Sequence, residues 1–233
     1  MRIVSWNCNG GLRRKTELLD ALNADILVVQ ECEDPSAYGT EYRDWAGNHL
    51  WIGDLRSKGL GIFARSNLSL EPLDWCGEDF RLFLPARIGD KFELLGVWTQ
   101  STRPASAAYI GQLWGYLLAN HARLGPNAVI CGDFNSNRIW DRPRRTGNHS
   151  HVVAKLAQLE LTSLYHQAFE EDQGAESVPT FYLYRKPDRP FHIDYIFAHQ
   201  SLVQEPGFAF AVGRSELWLT ASDHMPLVAD LKF

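Results

Sequence analysis

Ala128-Val129-Ile130-Cys131-Gly132-Asp133-Phe134-Asn135 is the stretch on which the reading of this chain turns. Its apolar run, residues 128–131, follows a Gly125-Pro126 break and is too short for a helix, so it predicts a buried strand. The strand ends on glycine. It then presents a carboxylate, Asp133, and an amide, Asn135, two residues apart and therefore on one side of the exit. Ligands of α/β proteins bind at such exits. An acceptor-only carboxylate beside a donor-bearing amide can orient a water and hold a phosphoryl oxygen. A Gly-Asp turn also closes many strands for local reasons alone, so the meaning of this one depends on what the rest of the chain brings to it.

The 233 residues are 45% hydrophobic, enough for a large core, and the net charge is −5. Proteins that coat long duplexes carry a basic face; attraction to nucleic acid must therefore come from local patches here. Cys8, Cys32, Cys76 and Cys131 show no CxxC spacing, and three sit in apolar strand-like runs. That excludes a disulfide framework or a zinc site as the expected reading. The N-terminal sequence starts directly as a strand, with no signal-peptide pattern and no membrane-spanning run. A cytoplasmic location with reduced thiols is expected, with no membrane partner.

Residues 2–7 predict a strand ending at Asn7-Cys8-Asn9-Gly10-Gly11. A helix is expected over 13–22, then a short buried strand, Ile26-Leu27-Val28-Val29, ending in Gln30-Glu31. This βαβ pattern makes the two strands potential neighbours, with Asn7 and Glu31 at one sheet edge. Residues 33–48 read as a loop. Strands are expected at 50–52, 59–64, 68–70, 80–87 and 92–99, as an antiparallel meander with a hairpin at Gly89-Asp90. A helix is expected over 107–124 and another over 152–159. Residues 180–184 and 191–198 predict a hairpin, and 208–212 and 227–231 the last strands. One domain over 1–233 is expected, with room for pseudo-symmetry between two βα-rich halves.

Five strand ends thus carry polar groups where an apolar run stops: Asn7 with Asn9, Glu31, Asp133 with Asn135, Asp194, and Asp223-His224. Each has a local explanation, as a turn, a solvated end or a cap. Together they repeat at the ends of separate strands rather than along helix faces, which points to one shared site.

The motifs SWNCNG, VVQE, GDFN, HIDYIF and SDHMPL, in this order from Ser5 to Leu227, closely resemble the endonuclease/exonuclease/phosphatase family, or DNase I-like fold. The resemblance implies a two-sheet, four-layered α/β sandwich with the site at one edge of the sheets. It implies a Mg²⁺- or Mn²⁺-dependent phosphoester hydrolase. Glu31 then corresponds to the main metal carboxylate, with Asn7 close to metal and phosphate and Asp223 a further metal or water-holding group; hard oxygen ligands suit Mg²⁺. Asp133 corresponds to the group that orients and deprotonates water, Asn135 to a phosphate donor, and His224 to the residue facing the phosphorane, fixed by Asp194. The proton acceptor, Asp133 or His224, stays open at this point. Two departures stand out. Asn9 replaces a common aspartate. Trp98 stands where relatives carry a phosphate-touching His or Tyr; either Gln100 or Thr99 is then expected to take over that contact, or the substrate geometry differs.

Basic clusters Arg13-Arg14-Lys15, Arg138/Arg142/Arg144/Arg145 and Arg185/Lys186/Arg189 fall in loops on the expected rim, a local phosphate attraction on an acidic chain. Trp140 among the arginines is a candidate base-stacking platform. Asn148-His149-Ser150 reads either as rim or as a helix cap. The 181–195 segment is similar to the hairpin of exonuclease III and the abasic-site endonucleases, which implies that Phe181, Phe191 and Ile193 line an apolar pocket beside the phosphate; the alternative is a hairpin whose aromatics pack inward. The resemblance favours a nuclease with nucleic acid, DNA in particular, as partner, and a place in DNA repair. A phosphatase or phosphodiesterase on a small-molecule or lipid phosphoester is the alternative.

Overall fold

The computed structural model describes residues 1–65, 67–75 and 80–233. Its strands begin with β1 (Arg2–Asn7), β2 (Ile26–Cys32), β3 (Asn48–Leu55), β4 (Lys58–Ala64) and β5 (Leu70–Pro72). Then follow β6 (Phe83–Ile88), β7 (Phe92–Trp98), β8 (Ala128–Asp133), β9 (Leu161–Ser163) and β10 (Phe181–Tyr182). The last are β11 (Pro190–Phe191), β12 (Asp194–His199), β13 (Ala209–Val212) and β14 (Leu227–Asp230). The helices are α1 (Thr16–Asp20), α2 (Thr40–Ala46), α3 (Ile110–Asn120), α4 (His149–Gln158), α5 (Leu164–Phe169), α6 (Gln200–Gln204) and α7 (Ser215–Trp218).

Two six-stranded sheets form, in the orders β13-β14-β1-β2-β4-β3 and β5-β6-β7-β8-β12-β9. Each is built around one parallel pair, β1 with β2 and β7 with β8, joined by a helical crossover; the flanking pairings are antiparallel. The two halves of the chain repeat this plan.

Three apolar clusters define the layers. One lies between the sheets and joins Ile3, Val28 and Ile62 of the first to Leu94, Val129 and Ile196 of the second. A second packs the outer face of the second sheet, including Ile130 and Phe197, on Leu113 and Leu117 of α3 and Val152 of α4. The third packs Val4, Leu27 and Phe63 on Leu19 of α1, Tyr42 of α2 and Trp218 of α7. Helix, sheet, sheet, helix is the four-layered sandwich expected. It explains the uninterrupted apolar run before Gly132: both faces of β8 are covered, so every residue from Ala128 to Asp133 is buried.

Several local expectations change. The helix expected over 13–22 is a 3-10 turn, Leu12–Arg14, followed by the five-residue α1. Residues 33–48 are not all loop: they contain α2, whose buried Tyr42 and Ala46 are too few to show a period. The expected meander is divided, with β3–β4 in the first sheet and β5–β6–β7 in the second; a strand's own alternation says which face is buried and nothing about which sheet it joins. The 180–198 hairpin is reduced to the two-residue pair β10–β11, and β12 joins the second sheet. Cys8, Cys32 and Cys131 are free and buried, and Cys76 lies outside the described residues. No helix among the described residues is long and apolar enough to cross a membrane.

Segment 170–177 lacks regular structure but is pinned from the second sheet side. Glu176 accepts hydrogen bonds from Asn137 Nδ2 and the Gly174 amide, both at 3.0 Å, and lies 3.2 Å from His166 Nε2. Burial acts to raise its pKa, but the donors His166, Gly174 and Asn137 outweigh it and hold the carboxyl at about 2. A carboxyl lowered on folding stabilises the fold above its unfolded pKa of 4.5, and that contribution fades as pH falls from there towards 2. Glu176→Gln is therefore expected to destabilise the protein at pH 6 and much less near pH 2.5, in urea unfolding at both pH values; an equal loss at both would refute the role of its charge.

Gly132 is required at its position. Its φ is +146°, and a Cβ there would lie 1.8 Å from the Val97 carbonyl oxygen of the parallel neighbour β7. Gly132→Ala is expected to cost on the order of 3 kcal/mol or more in urea unfolding. An unshifted midpoint would contradict this close approach.

Candidate active site

The site is the polar end of the rows between the sheets. Alternation puts Ile3, Ser5 and Asn7 on one face of β1, Val129, Cys131 and Asp133 on one face of β8, and Asp194, Ile196 and Ala198 on one face of β12. The apolar members of these rows pack in the inter-sheet core. The member at the site end of each, Asn7, Asp133 and Asp194, is polar. Register aligns Trp98, Asp133 and Asp194 across β7, β8 and β12.

Asn7 Nδ2 donates to Asp133 Oδ2 at 3.0 Å, bridging the two sheets. Asn135 donates twice to Asp133, from its backbone N to Oδ1 at 2.8 Å and from Nδ2 to Oδ2 at 3.0 Å. Its side chain also reaches the Thr99 carbonyl. His224 Nδ1 lies 2.9 and 3.1 Å from the two carboxylate oxygens of Asp194, and its Nε2 is 4.0 Å from Asp133 Oδ2. All three groups are buried. Burial pushes Asp133 up to about 7, with the charge of Asp194 adding to it, against the pull of His224, Asn7 and the Asn135 amide. Burial acts to lower His224, but Asp194 and then Asp133 outweigh it and raise the imidazole to about 9.

Glu31 arrives by a break in its strand. On β2, Leu27 and Val29 face the helices, and strict alternation would send Glu31 with them. The pairing with β4 shifts between Gln30 and Cys32, and Glu31 has φ +61°. This bulge turns the carboxylate to the site, where Oε1 lies 3.4 Å from Asn7 Nδ2 and Oε2 lies 2.6 Å from Lys58 Nζ. Asp223 accepts from Asn9 Nδ2 at 2.7 Å. An aspartate at position 9 would place two carboxylates together there; asparagine gives a hydrogen bond.

Asp133, Asp194 and His224 bring ligand atoms within 4.8 Å of one another. The His224–Asp194 contact is a hydrogen bond, which occupies Nδ1 and makes this group a proton-holding pair. The partly open carboxylate of Glu31 offers hard oxygens that could hold a divalent cation; Asn7 turns its Nδ2 donor to that carboxylate while its Oδ1 accepts the Asn9 amide, and Asp223 stands beyond Asn9.

The expected rim residues divide. Phe181 lies 4.6 Å from the His224 ring, Phe191 follows at 6.4 Å from Phe181, and exposed Trp140 lies tilted at 5.3 Å from Phe191. Ile193 is buried beneath them. Arg138, Arg142 and Arg144 are exposed in the loop after Asn135. Arg145 does not join them: its Nη2 donates to the carbonyls of Ala105, Ser106 and Ala108 and braces that segment. Lys15 likewise turns inward to the carbonyls of Cys8 and Gly10, Arg13 pairs with Glu33 at 3.4 Å, and Arg185 holds the carbonyls of Thr220 and Ala221. Trp98 is buried in the inter-sheet core and turns its ring to Lys58 at 5.9 Å. The Thr99 hydroxyl is engaged with the Phe134 carbonyl, so it cannot replace the missing donor. The Asn148 segment is the cap of α4, with a capping box to His151.

Three supports were not singled out in the sequence. Thr180 Oγ1 accepts the amides of Ile193 and Asp194. Ser222 Oγ donates to the Asn7 carbonyl and accepts the His224 amide, tying the first strand to the last motif. Trp6 Nε1 donates to the His224 carbonyl. Ser222 carries a usable signal, a serine two residues before a functional histidine; Thr180 and Trp6 carry none.

Residues 4–224 match the endonuclease/exonuclease/phosphatase family. The chain belongs to this family. It is by that membership a phosphoester hydrolase. The fold is similar to an AP endonuclease from Archaeoglobus fulgidus, with TM-score 0.74, 19% identity and 100% of both chains covered. It is similar also to the 3'-5' exonuclease NExo from Neisseria meningitidis, with TM-score 0.72, 19% identity and 100% of both chains covered. A third similar structure is the 3' phosphatase NExo from Neisseria bound to product DNA hairpin, with TM-score 0.73, 19% identity and again full coverage of both chains. No curated protein sequence matches the chain.

Since Asp194 is the largest influence raising His224, Asp194→Asn is expected to move the imidazole midpoint down from about 9, as followed by its NMR titration. A midpoint that stays in place would show that another group sets the imidazole's charge.

Proposed function

We propose that the chain hydrolyses phosphodiester bonds of nucleic acid, with DNA the favoured substrate, in a reaction that depends on Mg²⁺ or Mn²⁺. The observation that carries this reading is the aromatic row from His224 through Phe181 and Phe191 to Trp140. It offers base-sized faces leading away from the reacting centre, beside exposed Arg138, Arg142 and Arg144. The binding of a Neisseria relative to a product DNA hairpin supports it.

Glu31 would hold the divalent cation in this reading, with Asn7 positioning its carboxylate through Nδ2 and Asp223 as a further metal or water-holding group. When bound, the cation supplies Lewis-acid stabilisation of charge at the phosphate. Asp133 orients the attacking water and takes its proton; a carboxylate raised to about 7 is a competent base near neutral pH. The 4.0 Å between Asp133 Oδ2 and His224 Nε2 exceeds a hydrogen bond and suits one oxygen contacting both at about 2.8 Å. His224, charged at neutral pH, donates to the negative charge of the phosphorane, and Asp194 fixes the ring so that Nε2 faces it. Asn135 spends its Nδ2 hydrogens on Asp133 and the Thr99 carbonyl, so it orients the base, and it would reach a phosphate oxygen only by giving up one of those bonds.

Asp133→Ala and His224→Ala are each expected to lower the rate roughly 10²-fold or more, and EDTA to abolish it. The assay uses labelled single- and double-stranded DNA and RNA, with and without an abasic site, beside a panel of small phosphomonoesters and phosphodiesters. Turnover of a small ester without cleavage of any polymer would sink the nuclease reading. Wild-type rates in either variant would remove that residue's role.

A further inference from the structure

Lys58 stands in the same row as the reacting groups. On β4, alternation puts it on the face of Leu60, Ile62 and Ala64, all packed between the sheets, so it is the polar end of that row as Asn7 is of the β1 row. Its ammonium lies 2.6 Å from Glu31 Oε2 and 5.9 Å from the ring centre of Trp98. Trp98 in turn pairs in register with Asp133. A cation therefore sits across the indole at the level of the buried carboxylate.

The surroundings ask for one. Glu31 and Asp133 share the Asn7 amide between them, and carboxylates so close to the reacting centre repel a phosphoester. Trp98 has a single donor and no acceptor, and the Thr99 hydroxyl is engaged with the Phe134 carbonyl. The backbone N–H of Gln100 is bound to Gln112 Oε1 at 2.7 Å. The side chain of Lys58 is 47% exposed, and a lysine is a point charge on a flexible stem. A partly exposed ion pair is weakly held, so the ammonium can change partner without disturbing the fold.

We propose that Lys58 is a phosphate-binding residue of this site, exchanging Glu31 for a non-bridging oxygen of the substrate phosphoester and supplying the contact that Trp98 cannot make. It follows that Lys58 and a divalent cation compete for the Glu31 carboxylate. This inference rests on the phosphoester hydrolase reading but not on the polymer being the substrate.

The test reads binding rather than turnover. Mn²⁺ is titrated by loss of its free-ion EPR signal, and inorganic phosphate by calorimetry in saturating Mg²⁺, on wild type, Lys58→Met and Lys58→Arg. Lys58→Met is expected to bind Mn²⁺ roughly fivefold more tightly, the scale of one unit charge a few ångströms away in a solvated site. It is expected to bind phosphate several-fold more weakly, while Lys58→Arg stays near wild type in both. Lys58→Gln gives the same reading should the methionine variant fold poorly. Unchanged phosphate affinity on removal of the charge overturns the proposal. So does a parallel loss of Mn²⁺ and phosphate binding, which would mean that Lys58 only holds Glu31 in place. If the wild type cleaves a small ester and no polymer, the nuclease reading falls, and the opposed shifts in Mn²⁺ and phosphate affinity still support Lys58.

Discussion

A carboxylate buried where two sheets meet has to be satisfied by its neighbours, and Asp133 sets that demand. Removing its charge from water is costly unless donors replace the lost hydration. Asn7 from the other sheet, two donors of Asn135 and the charged ring of His224 are that replacement. Each is itself held: Asn7 by the Ser222 hydroxyl on its carbonyl, Asn135 by the Thr99 carbonyl, His224 by Asp194 and by Trp6. The same burial that demands these partners raises Asp133 towards the range where a carboxylate can act as a base. Stability and chemistry therefore rest on one arrangement.

The backbone departs from regularity at two places that this arrangement needs. At Gly132 the approach of β7 leaves no room for a side chain, and the strand is led out so that Asp133 ends its inward row. At Glu31 a bulge reverses the alternation of β2 and turns a carboxylate that would have faced the helices towards Asn7. Left-handed backbone at a glutamate carries a cost of order 1 kcal/mol or more. It is tolerated because the pairings on either side, with β1 and β4, fix the strand. The two halves of the chain thus use a common parallel-pair plan, yet deliver their carboxylates differently, one by a strand's own alternation and one by breaking it.

Of the fold, the runs that are apolar on both faces were legible. β1, β2, β7 and β8 follow from their composition, because buried central strands leave a continuous apolar signal. α2 was not, since only two of its residues reach the core. Nor was the division of the strands between 48 and 98 into two sheets, since the pattern of a strand carries no address. Of the site, the polar groups at strand ends were legible as types in order. Arg145 and Lys15, which look like phosphate contacts in a string of letters, brace carbonyls instead, because charge in a sequence does not tell which way a long side chain turns.

The sequence by itself determined the chemistry available here: Asn7, Glu31, Asp133, Asn135, Asp194, Asp223 and His224, each at the end of an apolar run. These are local properties, fixed by period and by residue type. Only the tertiary structure decided which of them touch and in what state. The approach of two sheets places Asn7 of one on Asp133 of the other, 126 residues apart, and excludes the water that would hold the Asp133 carboxyl at its ordinary pKa. The same approach sets Lys58 over Trp98 and against Glu31, a juxtaposition made by neighbouring strands and facing sheets, which no spacing along the chain encodes.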